Sequence, residues 1–202
     1  DDEVAAAVVG NYVYNIDTTG ASSKNILFIS DNKAAENNLG KDWTVEARAY
    51  FTDGSNKKII VDKIDGADVT SAVGIGNLKE TMYTYATDKD GNYELKHLAA
   101  SGASKNLAGY DTYVTATDTT PGSSGAPFTG TDYANKRIKG TLIADDAVLF
   151  VVANTEIKVN TGKTARDWAN TVAVKKLGFL TKESKGIHYV KVAALVNNAA
   201  KD

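Results

Sequence analysis

Apolar side chains recur at every second position through Ala47-Arg48-Ala49-Tyr50-Phe51-Thr52 and again through Lys57-Lys58-Ile59-Ile60-Val61-Asp62-Lys63-Ile64. That period is the signature of a strand with one buried face. Asp53-Gly54 and Asp65-Gly66 end the two runs and supply residues that tolerate positive φ, so the segment predicts a β-hairpin with a further tight turn after it. A second hairpin is predicted where Met82 to Thr87 and Tyr93 to Leu98 flank Asp88-Lys89-Asp90-Gly91-Asn92.

The same reading carries along the rest of the chain. Val4 to Ile16 predicts strand through Val9, Tyr12, Val13, Tyr14 and Ile16, although Ala5-Ala6-Ala7 would also suit the start of a helix. Ile26-Leu27-Phe28-Ile29 predicts a short buried strand ended by Ser30-Asp31-Asn32, with a helical turn or irregular loop over Lys33 to Leu39. Ala67 to Gly76 is rich in small residues and suits a connection. Further strands are expected at Tyr110 to Ala116, Thr141 to Ile143, Ala147 to Val152, Glu156 to Val159, Val172 to Lys176 and Ile187 to Val196. The Phe150 segment is apolar on both faces, which fits the centre of a closed or sandwiched sheet. Thr164 to Ala169 predicts one helical turn, with Thr164 as its N-cap and Asp167 completing a short capping box. The expectation is an all-β, antiparallel chain of two small barrel- or sandwich-like units with at most short helical turns. They span 1–80 and 81–202, the second carrying a long polar loop over 117–136 that contains Pro121-Gly122-Ser123-Ser124-Gly125-Ala126-Pro127.

Composition narrows the function. With 202 residues the chain can bury a core without staples, and it has no cysteine, which excludes disulfides, thiolate zinc sites and a cysteine nucleophile. Twenty-three basic against 25 acidic residues leave a net charge of -2 and no basic patch, so nucleic acid is not expected as a partner. Apolar runs such as Ala147 to Ala153 are far shorter than the roughly 20 residues of a membrane helix, so membrane insertion is not expected either. The start at Asp1-Asp2-Glu3-Val4, without initiator Met or apolar leader, reads as a mature or excised piece of something longer.

The order of several motifs carries a resemblance. Tyr50-Phe51-Thr52-Asp53-Gly54, Val61-Asp62-Lys63-Ile64-Asp65-Gly66, Tyr83-Thr84-Tyr85 with Asp90-Gly91-Asn92-Tyr93-Glu94-Leu95, Ala144-Asp145-Asp146-Ala147-Val148-Leu149-Phe150-Val151-Val152 and Val159-Asn160-Thr161-Gly162-Lys163 follow one another in that sequence. Together they resemble the non-anchor β regions of S-layer homology domain-containing cell-surface proteins of Firmicutes, over roughly residues 45–200 and more weakly before that. The resemblance implies an extracellular protein held at the cell wall through anchor repeats outside this stretch. The helical anchor repeat itself has no counterpart here, and the resemblance brings no catalytic residue with it.

Candidate chemistry is sparse. Asp88, Asp90 and Asn92 imitate the opening of a calcium loop, but Tyr93 and Ala99 stand where Gly and Glu are needed, and turn chemistry accounts for the same residues. Asp145 and Asp146 point to opposite faces if they lie in a strand, so they read as the start of a strand and not as a carboxylate pair. His97 and His188 have no acid close in sequence, no Gly-x-Ser-x-Gly elbow is present, and Gly74-Ile75-Gly76 lacks the third glycine of a dinucleotide fingerprint and reads as a bend. Tyr12 with Tyr14, and Tyr83 with Tyr85, share a face of their strands; such pairs stack on sugar rings or, more commonly, pack in a sheet. Trp43 and Trp168 are expected in the core.

The sequence therefore predicts a non-catalytic structural or adhesive module without cofactor or metal, contacting neighbouring modules, copies of the same protein or cell-surface glycan. The alternative is a surface-displayed carbohydrate-binding module whose contact residues would be Tyr83, Tyr85, Tyr12 and Tyr14.

Overall fold

A computed structural model describes residues 5–9, 12–17, 25–36, 43–69, 78–103, 105–117, 131–132, 135–153, 156–168 and 176–197. The chain is all-β. Among the described residues the only helical element is a short 3-10 segment, Gly162–Trp168. β1 (Ala5–Val9) and β2 (Tyr12–Asp17) form an antiparallel pair of their own.

The next six strands form the first large sheet: β3 (Ile26–Glu36), β4 (Trp43–Phe51), β5 (Asn56–Ile64), β6 (Ala67–Asp68), β7 (Thr81–Thr87) and β8 (Tyr93–His97). Five of them close a barrel in the order β3-β4-β5-β8-β7 and back to β3, and β6 is a two-residue appendage on β5. With its third strand parallel to its fifth, this ring has the Greek-key arrangement of OB-type barrels. The second sheet contains β9 (Thr112–Thr117), β10 (Thr131–Asp132), β11 (Arg137–Ile138), β12 (Thr141–Ala153), β13 (Glu156–Thr161), β14 (Lys176–Ser184) and β15 (Ile187–Asn197). Its order is β10-β11-β12-β15-β14-β9, with β13 on β12. Most pairings are antiparallel, as expected from the hairpin turns. β5 with β8 and β12 with β15 depart from that expectation and run parallel, a pairing open only to strands that no hairpin turn joins.

Period-two patterning sorts the core into three layers. Leu27, Ile29, Val45, Ala47, Ala49, Phe51, Ile59, Val61, Tyr83, Tyr93 and Leu95 fill the barrel. Ile26, Phe28 and Met82 point outward from it and meet Phe150, Val152, Leu180, Val192, Ala194 and Val196 of the second sheet. Leu149, Val151, Leu177, Phe179, Ala193 and Leu195 form a third cluster on that sheet's other face. β12 is thus buried on both faces and paired on both edges, as the apolar run through Phe150 predicted.

Several local expectations are corrected. Ser30-Asp31-Asn32 does not end a strand: β3 passes through it with a bulge between Ile29 and Asp31 that bends the strand around the barrel. The stretch from Lys33 continues as strand to Glu36. Ala144-Asp145-Asp146 likewise lies inside one long β12, at a register shift between Ile143 and Val148. Thr164 is not an N-cap, since its hydroxyl donates to Thr161 O at 2.9 Å from within the 3-10 segment. β14 extends past Lys176 to Ser184, through Gly178, whose missing side chain leaves room for the Tyr113 hydroxyl from β9. The expected unit boundary near residue 80 falls inside the barrel: β7 and β8 complete that ring, and the change of sheet comes between His97 and Thr112. Most of the polar loop over 117–136, Gly74-Ile75-Gly76 and the 172–175 part of the expected late strand lie outside the described residues.

Candidate functional site

The turn after β5 carries Asp65 at φ 53 and Gly66 at φ 82, a left-handed pair that swings the Asp65 carboxylate across to β8. There it accepts the His97 backbone N–H at 2.8 Å and faces His97 Nδ1 at 2.7 Å. Burial pushes the Asp65 carboxyl up, but the backbone and ring contacts of His97 outweigh it and hold the group below its ordinary value. The His97 ring stands edge-on to Tyr83 with centroids 4.9 Å apart. Asn106 Nδ2 donates to Thr84 Oγ1 at 2.8 Å and to His97 O at 3.1 Å, closing a small polar network on the outside of the barrel.

The other histidine also has a carboxylate. Asp111, just ahead of β9, accepts the Glu183 N–H at 2.5 Å and lies 3.4 Å from Lys182 Nζ and 3.8 Å from His188 Nδ1. The Glu183 hydrogen bond, with Lys182 behind it, keeps the Asp111 carboxyl below its ordinary value. Both Asp–His arrangements were invisible in the sequence, since 32 residues separate Asp65 from His97 and only folding brings each pair together. His97, Asp65 and His188 are about half open to solvent and Asp111 about a third, and among the described residues no hydroxyl hydrogen-bonds to either ring. The two pairs tie a turn to a strand and a strand approach to a hairpin.

The acids singled out in the sequence also hold local structure. Asp88 Oδ1 accepts the N–H groups of Asp90 and Asn92 at 2.8 Å each, and Oδ2 accepts Asn92 Nδ2 at 3.3 Å, so the calcium-like spacing builds the β7–β8 turn. Asp145 pairs with Lys136, and Asp146 with Lys191 Nζ at 2.7 and 2.9 Å, on separate partners as expected for strand neighbours. Asp62, the extra residue at the β5–β8 bulge, has a buried Oδ1 that finds no hydrogen-bond partner among the described residues; burial, with Asp88 nearby, pushes its carboxyl up. Among the described residues no group of three or more His, Asp or Glu side chains is placed to hold a metal ion, and no helix is long and apolar enough to cross a membrane.

The tyrosine platform needs correction. Tyr83 and Tyr85 do share a face, but it is the inner face of the barrel. Tyr83 is 1% exposed and its hydroxyl donates to Leu78 O at 3.3 Å. Burial pushes that hydroxyl well above its ordinary range. Tyr85 packs against Phe51 and Tyr93, each with ring centroids 5.5 Å away, and Lys57 Nζ lies 5.4 Å from the Phe51 centroid and 5.3 Å from that of Tyr93. The pair is core packing at one end of the barrel. Trp43 packs partly buried against the same core, while the side chains of Tyr12, Tyr14 and Trp168 lie outside the described residues.

One cleft of about 50 Å³ lies where the barrel meets the second sheet, between Glu80, Thr81, Met82, Tyr113, Lys176 and Gly178. Its volume is far below the several hundred Å³ of a small-molecule pocket. The outer surface of β4 and β5, where OB-type barrels take ligands, exposes Arg48, Lys58 and Ile60, with Lys58 paired to Glu46 at 3.6 Å. Fold alone assigns nothing to that surface. Compared with family models, curated proteins and solved structures, the chain matches none.

Proposed function

We propose that this chain is a non-catalytic structural or adhesive module of a bacterial cell-surface, S-layer-like protein. The observation that carries the reading is the apolar layer shared by barrel and sheet, in which the Phe28 and Phe150 rings stack at 5.6 Å. It joins two sheets that would otherwise move separately into one stiff body, which is what a spacer or assembly unit requires. The polar side chains support the same view, because Asp65, Asp88 and Asp111 each accept backbone N–H groups that fix a turn or a strand approach and Asp146 pairs with Lys191 on a neighbouring strand. The extracellular placement rests on the ordered β motifs that resemble the non-anchor regions of S-layer homology proteins. The burial of Tyr83 weighs against the carbohydrate-binding alternative in the form that relied on the Tyr83 and Tyr85 pair.

Antibody against the folded module tests the placement. Intact, unpermeabilised cells of the encoding bacterium are expected to stain as strongly as lysed ones. Staining that requires lysis would refute surface display.

A further inference from the structure

Strand edges on this molecule are unequal. The barrel is closed and exposes no edge beyond the two-residue β6. β13 is an edge of the second sheet, but it carries Glu156 and Lys158, paired at 3.1 Å, which is the usual way an edge is protected from adding another strand. β9 is different. Among the described residues it pairs with β14 alone, and its sequence Thr112-Tyr113-Val114-Thr115-Ala116-Thr117 contains no charge and no proline. Thr112, Thr115 and Thr117 are exposed, and Val114 and Ala116 are only partly buried against the sheet's core. β9 is also held firmly in place: all six of its residues are in register with Lys176 to Thr181, Asp111 anchors its start through Glu183, and Thr112 Oγ1 lies 2.7 Å from Thr181 Oγ1. Among the described residues no strand pairs with its outer edge, so it presents an ordered row of backbone donors and acceptors there.

We infer that β9 is a homotypic docking edge, at which a second copy of this chain adds its own β9 in antiparallel register and continues the sheet across a two-fold axis. The strand is self-complementary in that arrangement. A two-fold pairing of one edge with its copy sets like faces opposite each other, so with the axis at Thr115 that residue meets its own copy, Val114 falls opposite Ala116 and Tyr113 opposite Thr117: each unlike pair sets a larger residue against a smaller one, and the strand brings no charge to the pairing. A two-fold pairing uses the same patch on both copies and satisfies both edges at once. An edge-only contact is small, so the dimer is weak and would act through the many copies of a surface layer. The module reading above gives the dimer its use, but the pairing stands on the strand edge alone. A monomeric chain that is still displayed on cells would sink this inference and leave the other intact.

Sedimentation equilibrium of the whole chain from about 10 μM to about 1 mM tests it. The wild-type average mass should rise from 21.4 kDa toward twice that value. Thr115→Lys and Thr117→Lys alter exposed side chains and should weaken the dimer at least tenfold, with the far-UV spectrum reporting that each variant folds; Glu156→Lys on the opposite edge should leave it unchanged. A wild-type chain that stays monomeric, a dimer that survives both folded lysine variants, or one that responds to Glu156→Lys would overturn the assignment.

Discussion

The Phe28 and Phe150 rings lie nearly parallel, 17° apart with centroids at 5.6 Å, one on the outside of the barrel and the other on the facing surface of the second sheet. Both are fully buried. Phe150→Ala should therefore cost about 3–5 kcal/mol, lowering the melting temperature by roughly 2–4 °C per kcal/mol for a chain this size. Because the ring belongs to both sheets, the loss should appear in barrel and sheet together. Amide exchange of Val61 and Val192, one in each sheet, would report it.

Gly162 is required for close approach. A Cβ built there would collide with Ala144 O and lie 3.0 Å from Ile143 Cγ2, so the 3-10 segment rests directly on the bulged backbone of β12. Gly162→Ala should destabilise by about 1–3 kcal/mol, the range for forced overpacking, measured by chemical denaturation.

Much of this was legible in advance. The alternation through Ala47, Ala49 and Phe51 and the glycines at Gly54 and Gly91 fixed two hairpins, because side-chain period and turn conformation are local properties. Ring closure was not legible, since the parallel pairing of Val61 with Tyr93 joins distant segments and leaves no mark on either one. The same limit hid Asp65 from His97. β14 was missed beyond Lys176 because Gly178 interrupts its short apolar run and Lys182-Glu183-Ser184 ends it in polar residues, so neither alternation nor a long apolar stretch marks it. For Tyr83 and Tyr85 the shared face could be read, but whether that face points inward depends on barrel closure.

Tyr83 separates core packing from sugar stacking. Tyr83→Phe removes the hydroxyl that donates to Leu78 O and should cost about 1 kcal/mol, whereas Tyr83→Ala should cost about 3–5 kcal/mol. Thermal melts of the two variants check the ratio. A Tyr83→Ala protein as stable as wild type would contradict its place in the barrel.

Asp62 should make stability depend on pH in the direction opposite to most carboxylates. Its folded pKa lies above the ordinary 3.8, so folding favours the protonated form. The resulting penalty is absent below pH 3.8 and grows as pH rises through the folded value, where the carboxyl becomes charged with its buried Oδ1 finding no hydrogen-bond partner among the described residues. Asp62→Asn should thus be more stable than wild type at neutral pH and converge with it in acid. Denaturant midpoints at pH 7 and pH 3 measure the difference.

Pulling on single molecules tests the central claim, that barrel and sheet act as one mechanical body. With handles at Ile26 and Asn197, the shared layer around Phe28 and Phe150 predicts a single rupture releasing about 60 nm of chain, at roughly 3.5 Å per residue. Two separate ruptures, one for the barrel and one for the sheet, would contradict it.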